Sequence, residues 1–289
     1  MLIAAPNVAA IFSLTAVGVW GASDFLGGVG ARRANAFLFT SIVHVSGMVL
    51  AASLAFAIGA PFPEGNSLCW ALIAGTVGGA ALALFYRSLA GGQMGLVAPV
   101  AAVLGAGIPT IVTAFTEGAP GVRQVLGFVL AGIGVWLISR TEKAEDGKGG
   151  ENGARPKGLG LAVLAGCGFA GFYLCIHRTG NGSALWIAVC SRFASLLITL
   201  AFVFVGRQFR AVPRPIVGIA IVAGILDITG SAVFVRAAQL GRLDAAVVLS
   251  SLYPAVTVIL ARIFLHEHFS RARTIGMLAA LAAVPMIAG

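Results

Sequence analysis

The sequence predicts an all-α integral membrane protein, with ten transmembrane helices arranged as two inverted five-helix repeats. Three observations carry that expectation. Only 10% of the 289 residues are charged and 59% are hydrophobic, against roughly 25% charged in an average soluble domain, so there is too little polar surface to solvate a globule of this length. The apolar residues come in continuous runs close to the roughly 20 residues that cross a hydrocarbon core as helix. One long polar stretch falls at the middle and divides the chain into two halves that align on each other. Disorder is excluded by the same composition, because a disordered chain needs low hydrophobicity.

The first span covers about residues 8–27, and its first charge is Asp24. Lacking a basic leader, it reads as a retained helix rather than a cleavable signal peptide. Spans two to five follow at about 36–59, 67–89, 94–116 and 121–139. Only Gly91-Gly92-Gln93 separates the third from the fourth, which implies a tight hairpin. Residues 140–157 hold Arg140, Glu142, Lys143, Glu145, Asp146, Lys148, Glu151, Arg155 and Lys157 among glycines, the composition of a flexible linker. Spans six to ten fall at about 158–177, 183–205, 215–237, 244–265 and 271–288. Barrel strands would be about ten residues of alternating polarity, whereas these runs are continuous and twice as long. Pro99 and Pro109 in the fourth span and Pro254 in the ninth remove backbone donors and should interrupt their helices. Gly75 and Gly79 should let helices approach closely within the bundle. The cysteines, Cys69, Cys167, Cys175 and Cys190, form no CxxC pair and read as small buried hydrophobes.

The halves, 8–139 and 158–288, repeat one another. An offset of 149 places Ala74-Gly75, Ala83, Phe85, Arg87 and Gly92 on Ala223-Gly224, Ala232, Phe234, Arg236 and Gly241, and Gly127 on Gly276. Glu117 meets Glu267 after a slip of one residue. Five spans are an odd number, so the second copy starts on the opposite side of the membrane and the repeats are inverted. Inverted repeats characterise transporters that alternate access around a midplane site.

Several segments carry a resemblance: Val19-Trp20-Gly21-Ala22-Ser23 in the first span, Phe85-Tyr86-Arg87-Ser88-Leu89 and Phe234-Val235-Arg236-Ala237-Ala238 closing the third and eighth, Ala98-Pro99, Tyr253-Pro254, Glu117 and Glu267. The chain resembles the EamA-like proteins of the drug/metabolite transporter superfamily along essentially its whole length. The resemblance implies transport of an amino acid or related compound. The family's arginine near the start of the second span of each repeat is present as Arg192, while the first repeat has Val43-His44 at that place.

Ionisable groups inside spans mark the candidate site, because each costs about 2.5–3.5 kcal/mol at mid-bilayer unless it finds a cavity or a partner. Asp227 lies near the centre of the eighth span, with Arg192 and Asp24 nearer the ends of theirs. Asp227 and Asp24 could face a polar cavity with Arg192 as counter-ion, or Asp227 and Arg192 could form a fixed structural pair. His44 could titrate near neutrality or serve as a packing residue. Trp20, Ser23, Tyr86, Tyr173, Ser250, Ser251 and Tyr253 offer hydrogen bonds along a substrate path without a charge penalty. Trp70 and Trp136 read as interface anchors.

No cofactor is expected, since the chain has no phosphate-binding loop or nucleotide fingerprint. Nor is a metal site: the histidines of His266-Glu267-His268 are two apart and diverge on a helix. The expected partners are a small-molecule substrate and the lipid bilayer, without nucleic acid, and a homodimer stays open. The reading is a secondary transporter of the inner or plasma membrane, an exporter, with Asp227 the first candidate for proton coupling. Two alternatives are a membrane-embedded enzyme acting on lipid, for which His266-Glu267-His268 would be the centre, and a non-transporting scaffold or sensor. Loops after odd spans hold Arg32, Arg33, Arg140, Lys143, Lys148, Arg155, Lys157, Arg207, Arg210, Arg214, Arg271 and Arg273, whereas loops after even spans hold Arg123, Arg178 and Arg242. The positive-inside rule therefore places both termini outside, whereas the family resemblance implies cytoplasmic termini.

Overall fold

The computed structural model describes residues 5–91, 94–139, 158–265 and 271–288. Among these residues there is no strand. The helices are α1 (Ala5–Ala31), α2 (Ala36–Ala57), α3 (Gly65–Gly91), α4 (Met94–Thr116), α5 (Val122–Ser139), α6 (Leu159–His177), α7 (Ala184–Val205), α8 (Arg214–Leu240), α9 (Leu243–Ser250), α10 (Tyr253–Leu265) and α11 (Arg271–Ala288). Among the described residues seven stretches are long and apolar enough to cross a membrane, in α1, α2, α3, α6, α7, α8 and across α9–α10, and α4 and α5 contain shorter apolar helices. Large apolar side chains cover the outer surface, with Phe115 88% and Val205 86% exposed, as a lipid-facing wall requires.

Local chemistry sets several boundaries. Asn35 caps α2, its Oδ1 accepting from the main-chain N–H of Phe37 and Leu38 at 3.0 and 3.1 Å. Ser183 caps α7 through Trp186 N–H. Pro215 sits in the first turn of α8, where its missing donor costs nothing. The ninth expected span divides at Ser251–Leu252, directly before Pro254, whose ring would clash with the carbonyl of residue 250 in a continuous helix. The other two prolines behave differently from expectation: α4 runs without a break through Pro99 and Pro109.

The principal helix pairs join the two halves reciprocally. α1 packs on α8 and α6 on α3; α2 on α8 and α7 on α3; α1 on α9 and α10, and α6 on α4; α2 meets α7 and α5 meets α11. Exchanging each helix for its counterpart at the 149-residue offset maps these pairs onto themselves. Small residues permit the crossings. A Cβ on Gly75 would overlap the Ser191 main chain of α7, and one on its counterpart Gly224 would overlap the Val43 carbonyl of α2. Gly79 likewise abuts Ser195, whose Oγ donates to the Gly75 carbonyl at 2.7 Å. The glycines thus pack within the bundle, as expected.

The cysteines differ from expectation. Only Cys190 is buried; Cys175 is half-buried, and Cys69 and Cys167 are exposed, because an apolar run in such a bundle has an outward as well as an inward face. Trp136 is half exposed. The expected linker at 140–157, the Gly92-Gln93 turn and His266-Glu267-His268 lie outside the described residues.

Candidate functional site

A cavity with about 50 Å³ of water-accessible volume lies between the halves, room for a few water molecules. Its walls are Trp20 and Asp24 of α1, Gly78 and Leu82 of α3, Phe169, Phe172 and Tyr173 of α6, Arg192 of α7, Asp227 and Ser231 of α8, and Tyr253 of α10. At the 149-residue offset, eight of these eleven residues form four equivalent pairs: Trp20 with Phe169, Asp24 with Tyr173, Gly78 with Asp227, and Leu82 with Ser231. The two halves line the cavity from the same positions with different chemistry. The acid of α1 is answered by a tyrosine, and the acid of α8 by a glycine.

Arg192 and Asp227 form a buried ion pair, Nη2 to Oδ2 at 2.7 Å, with side chains 6% and 8% exposed. The same guanidinium donates to Ser231 Oγ at 2.5 Å, and Ser231 Oγ donates to the Asp227 carbonyl at 2.9 Å, one turn back along α8. The pair lines the cavity and also joins α7 to α8. Asp24 is 8% exposed and lines the same cavity. Among the described residues no donor bonds its carboxylate.

α1 is placed by polar contacts on one face. Trp20 Nε1 donates to the Asp227 carbonyl at 3.2 Å, and Ser23 Oγ donates to the Ala223 carbonyl at 2.9 Å. Trp20, Ser23 and Asp24 are three and four residues apart, so they share this face. Thr257 Oγ1 donates to the Gly21 carbonyl at 3.0 Å, fixing α10 against α1 and bringing Tyr253 beside Asp24. The Trp20 ring lies 5.5 Å from Phe234 and 6.2 Å from Tyr173.

Six of the eleven expected site residues thus meet at the cavity: Asp227, Arg192, Asp24, Trp20, Tyr173 and Tyr253. Five do not line it, among them Ser251, which is buried just beyond α9 with its Oγ donating to the Val248 carbonyl at 2.7 Å. Ser23 and Tyr86 are buried beside it, their hydroxyls 3.4 Å apart. His44 is fully buried in α2, and Ser250 at the end of α9; the His44 ring nitrogens and the Ser250 hydroxyl have no partner among the described residues. Phe169, Phe172, Gly78, Leu82 and Ser231 escaped the sequence reading, although the repeat offset, applied to Trp20 and Asp227, points at Phe169 and Gly78.

At one end of the bundle a second polar group joins the halves. His177 Nε2, closing α6, lies 2.9 Å from Glu117 Oε1, just beyond α4. Arg242, before α9, donates to the Gly118 carbonyl at 2.9 Å and binds the buried Asp244 carboxylate through Nε and Nη2 at 3.1 and 2.8 Å. The bond to Asp244 raises the already high pKa of that guanidinium. Glu117 and His177 border a depression of about 670 Å³ with Trp70, Cys175 and Arg178.

Comparison with known proteins adds the following. A solved structure described only as a crystal structure of a protein superposes with a TM-score of 0.76 over 96% of this chain and 97% of that one, at 16% identity, a likeness of fold. It is one of 28 solved chains that match. No curated protein sequence matches. Residues 156–289 match the EamA-like transporter family, a family of the drug/metabolite transporter superfamily. With its apolar helices, this makes the chain a multi-pass membrane protein.

Proposed function

We propose that this chain, whose residues 156–289 match the EamA-like transporter family, is a secondary transporter that exports a small organic metabolite across an inner or plasma membrane. Its two units are residues 8–139 and 158–288, each of five spans, related as inverted repeats and joined by 140–157. The observation that carries this reading is the cavity, whose wall is built from repeat-equivalent positions of both halves and contains the buried charges of Asp24, Arg192 and Asp227. Rocking of one unit against the other would open that cavity to alternate sides. The reciprocal helix pairs supply two equivalent interfaces for such a motion, and the Glu117–His177 contact ties the units at one end.

A transmembrane gradient, worth about 2.3 kcal/mol per elementary charge per 100 mV, drives net export through a carboxylate that takes up a proton in one state and releases it in the other. Asp227 and Asp24 are the two groups able to do so. Asp227 must loosen from Arg192 to participate, whereas Asp24 is unencumbered. The test is efflux from proteoliposomes loaded with a mixture of cell metabolites, with and without a pH gradient, read by mass spectrometry. Gradient-dependent loss of a subset of compounds is expected. Flux unchanged by Asp227→Asn would remove that residue from coupling, and no protein-dependent flux of any compound would sink the reading.

A further inference from the structure

We infer that the outer face of the bundle carries a site for one anionic phospholipid, its acyl chain in the groove between α2 and α7 and its phosphate on the arginines of the α7–α8 loop. This site is separate from the central cavity and stands whatever that cavity binds.

The groove has a volume of about 710 Å³. Leu38, Ile42 and Val45 of α2 and Leu196 and Leu200 of α7 form its walls, and residues 209–212 with the first turn of α8 close one end. The seven-residue step along α2 makes it about 10 Å long. The Ser41 hydroxyl in this wall is already bonded to the Phe37 carbonyl and to Thr199. Val45 and Phe209, 42% and 60% exposed, leave the groove open to the surroundings of the bundle, where the solvent is lipid. Such a wall suits a hydrocarbon chain, and Arg210 supplies a charge at its closed end.

At that end the charge is of one sign among the described residues. Arg32 and Arg33 follow α1, and Arg207, Arg210 and Arg214 lie between α7 and the first residue of α8. All five are exposed, and their side chains have no partner among the described residues. A bond between Asn35 and Gln208 holds the two loops together. Of the five acids among the described residues, Asp24 and Asp227 line the central cavity, and Glu64, Glu117 and Asp244 lie at the opposite end of the bundle. An anion would also suit α8, whose N-terminus has no side-chain cap and opens on an arginine. Guanidinium groups bind phosphate with two parallel hydrogen bonds, and clustered arginines beside a bilayer attract anionic headgroups.

Other occupants suit this surface less. Residues 140–157 carry four acids, but their apolar side chains are Ala144, Ala154 and Pro156, too little to fill the groove. A second copy paired through this face about a two-fold axis would set the same arginines against one another.

Native mass spectrometry of the full-length protein, released from micelles holding equal amounts of phosphatidylglycerol and phosphatidylcholine with the same chains, tests the site. Monomers should retain phosphatidylglycerol at least about fivefold over phosphatidylcholine. Arg210→Gln/Arg214→Gln should lose that preference, whereas Arg178→Gln/Arg236→Gln, which removes the same charge from the opposite end, should keep it. Ile42→Trp fills the groove, leaves every arginine in place, and should lower phosphatidylglycerol retention by a similar factor. Equal retention of the two lipids, equal loss in both double variants, or retention unaffected by Ile42→Trp would each overturn the site. Retention that appears only after Glu142, Glu145, Asp146 and Glu151 are changed to Gln would give the surface to residues 140–157 instead. Lipid-free dimers dispersed by Ile42→Trp would give it to a second copy.

Discussion

The indole of Trp20 donates its hydrogen bond to the main-chain carbonyl of Asp227, so the residue that shapes one wall of the cavity also fixes the height of the opposite wall's charge. Ser23 repeats the contact one turn away, at the carbonyl of Ala223. Trp20→Phe keeps most of the ring contact with Phe234 and Tyr173 and loses the bond. A stability loss of about 1 kcal/mol is expected, with reduced flux. Trp20→Ala also leaves a void and should cost roughly 3–5 kcal/mol. Denaturant unfolding in detergent, set beside the flux assay, checks both values; equal losses for Phe and Ala would contradict the assigned bond.

The Arg192–Asp227 pair predicts strong non-additivity. Either Arg192→Leu or Asp227→Leu strands a buried charge and should cost about 3–5 kcal/mol. Removing both strands neither partner of the pair, so the double variant should be more stable than either single one. A double-mutant cycle on unfolding free energy measures the coupling, and additive losses would show that the two side chains act independently.

Glycine substitutions should separate by position. Gly75→Ala and Gly224→Ala place a methyl group on main-chain atoms of α7 and α2 and should prevent folding to a monodisperse protein. Gly18→Ala meets open space on α1 and should stabilise by roughly 0.5–1 kcal/mol, the usual helical gain. Size-exclusion profiles of fluorescent fusions distinguish the two classes, and a well-folded Gly75→Ala would mean that the helices are further apart than described.

The Glu117–His177 contact predicts a change in access at one end of the bundle. Glu117→Gln weakens the tie between the ends of α4 and α6, so Cys175, which borders the same depression, should react several-fold faster with a water-soluble maleimide. The measurement uses a variant retaining Cys175 as its only cysteine. An unchanged rate would show that the contact does not restrain this end.

Orientation follows from twelve basic residues in the odd loops against three in the even loops, which the positive-inside rule reads as termini outside. A terminal alkaline phosphatase fusion should therefore be active and a terminal green fluorescent protein fusion dark. The opposite pattern would favour the arrangement implied by the family resemblance.

The sequence by itself determined the helices and their order, because crossing a membrane imposes a length and a composition on each segment that can be read without knowing its neighbours. It also picked out Asp24, Arg192 and Asp227, since a charge inside an apolar run is conspicuous. The break before α10 was legible in Pro254, yet Pro99 and Pro109 carry the same local signal within an unbroken helix, so helix continuity was settled beyond the proline itself. Only the tertiary structure decided which charges pair. Arg192 and Asp227 are 35 residues apart in the chain, and Asp24 is 229 from Tyr253, so no local pattern reveals that, among the described residues, one acid has a partner and the other has none. The apolar lining, Phe169, Phe172, Gly78 and Leu82, was illegible for a related reason. In a chain that is mostly apolar, facing a cavity and facing lipid demand the same residue types, and the direction a side chain points is fixed by the helices packed around it.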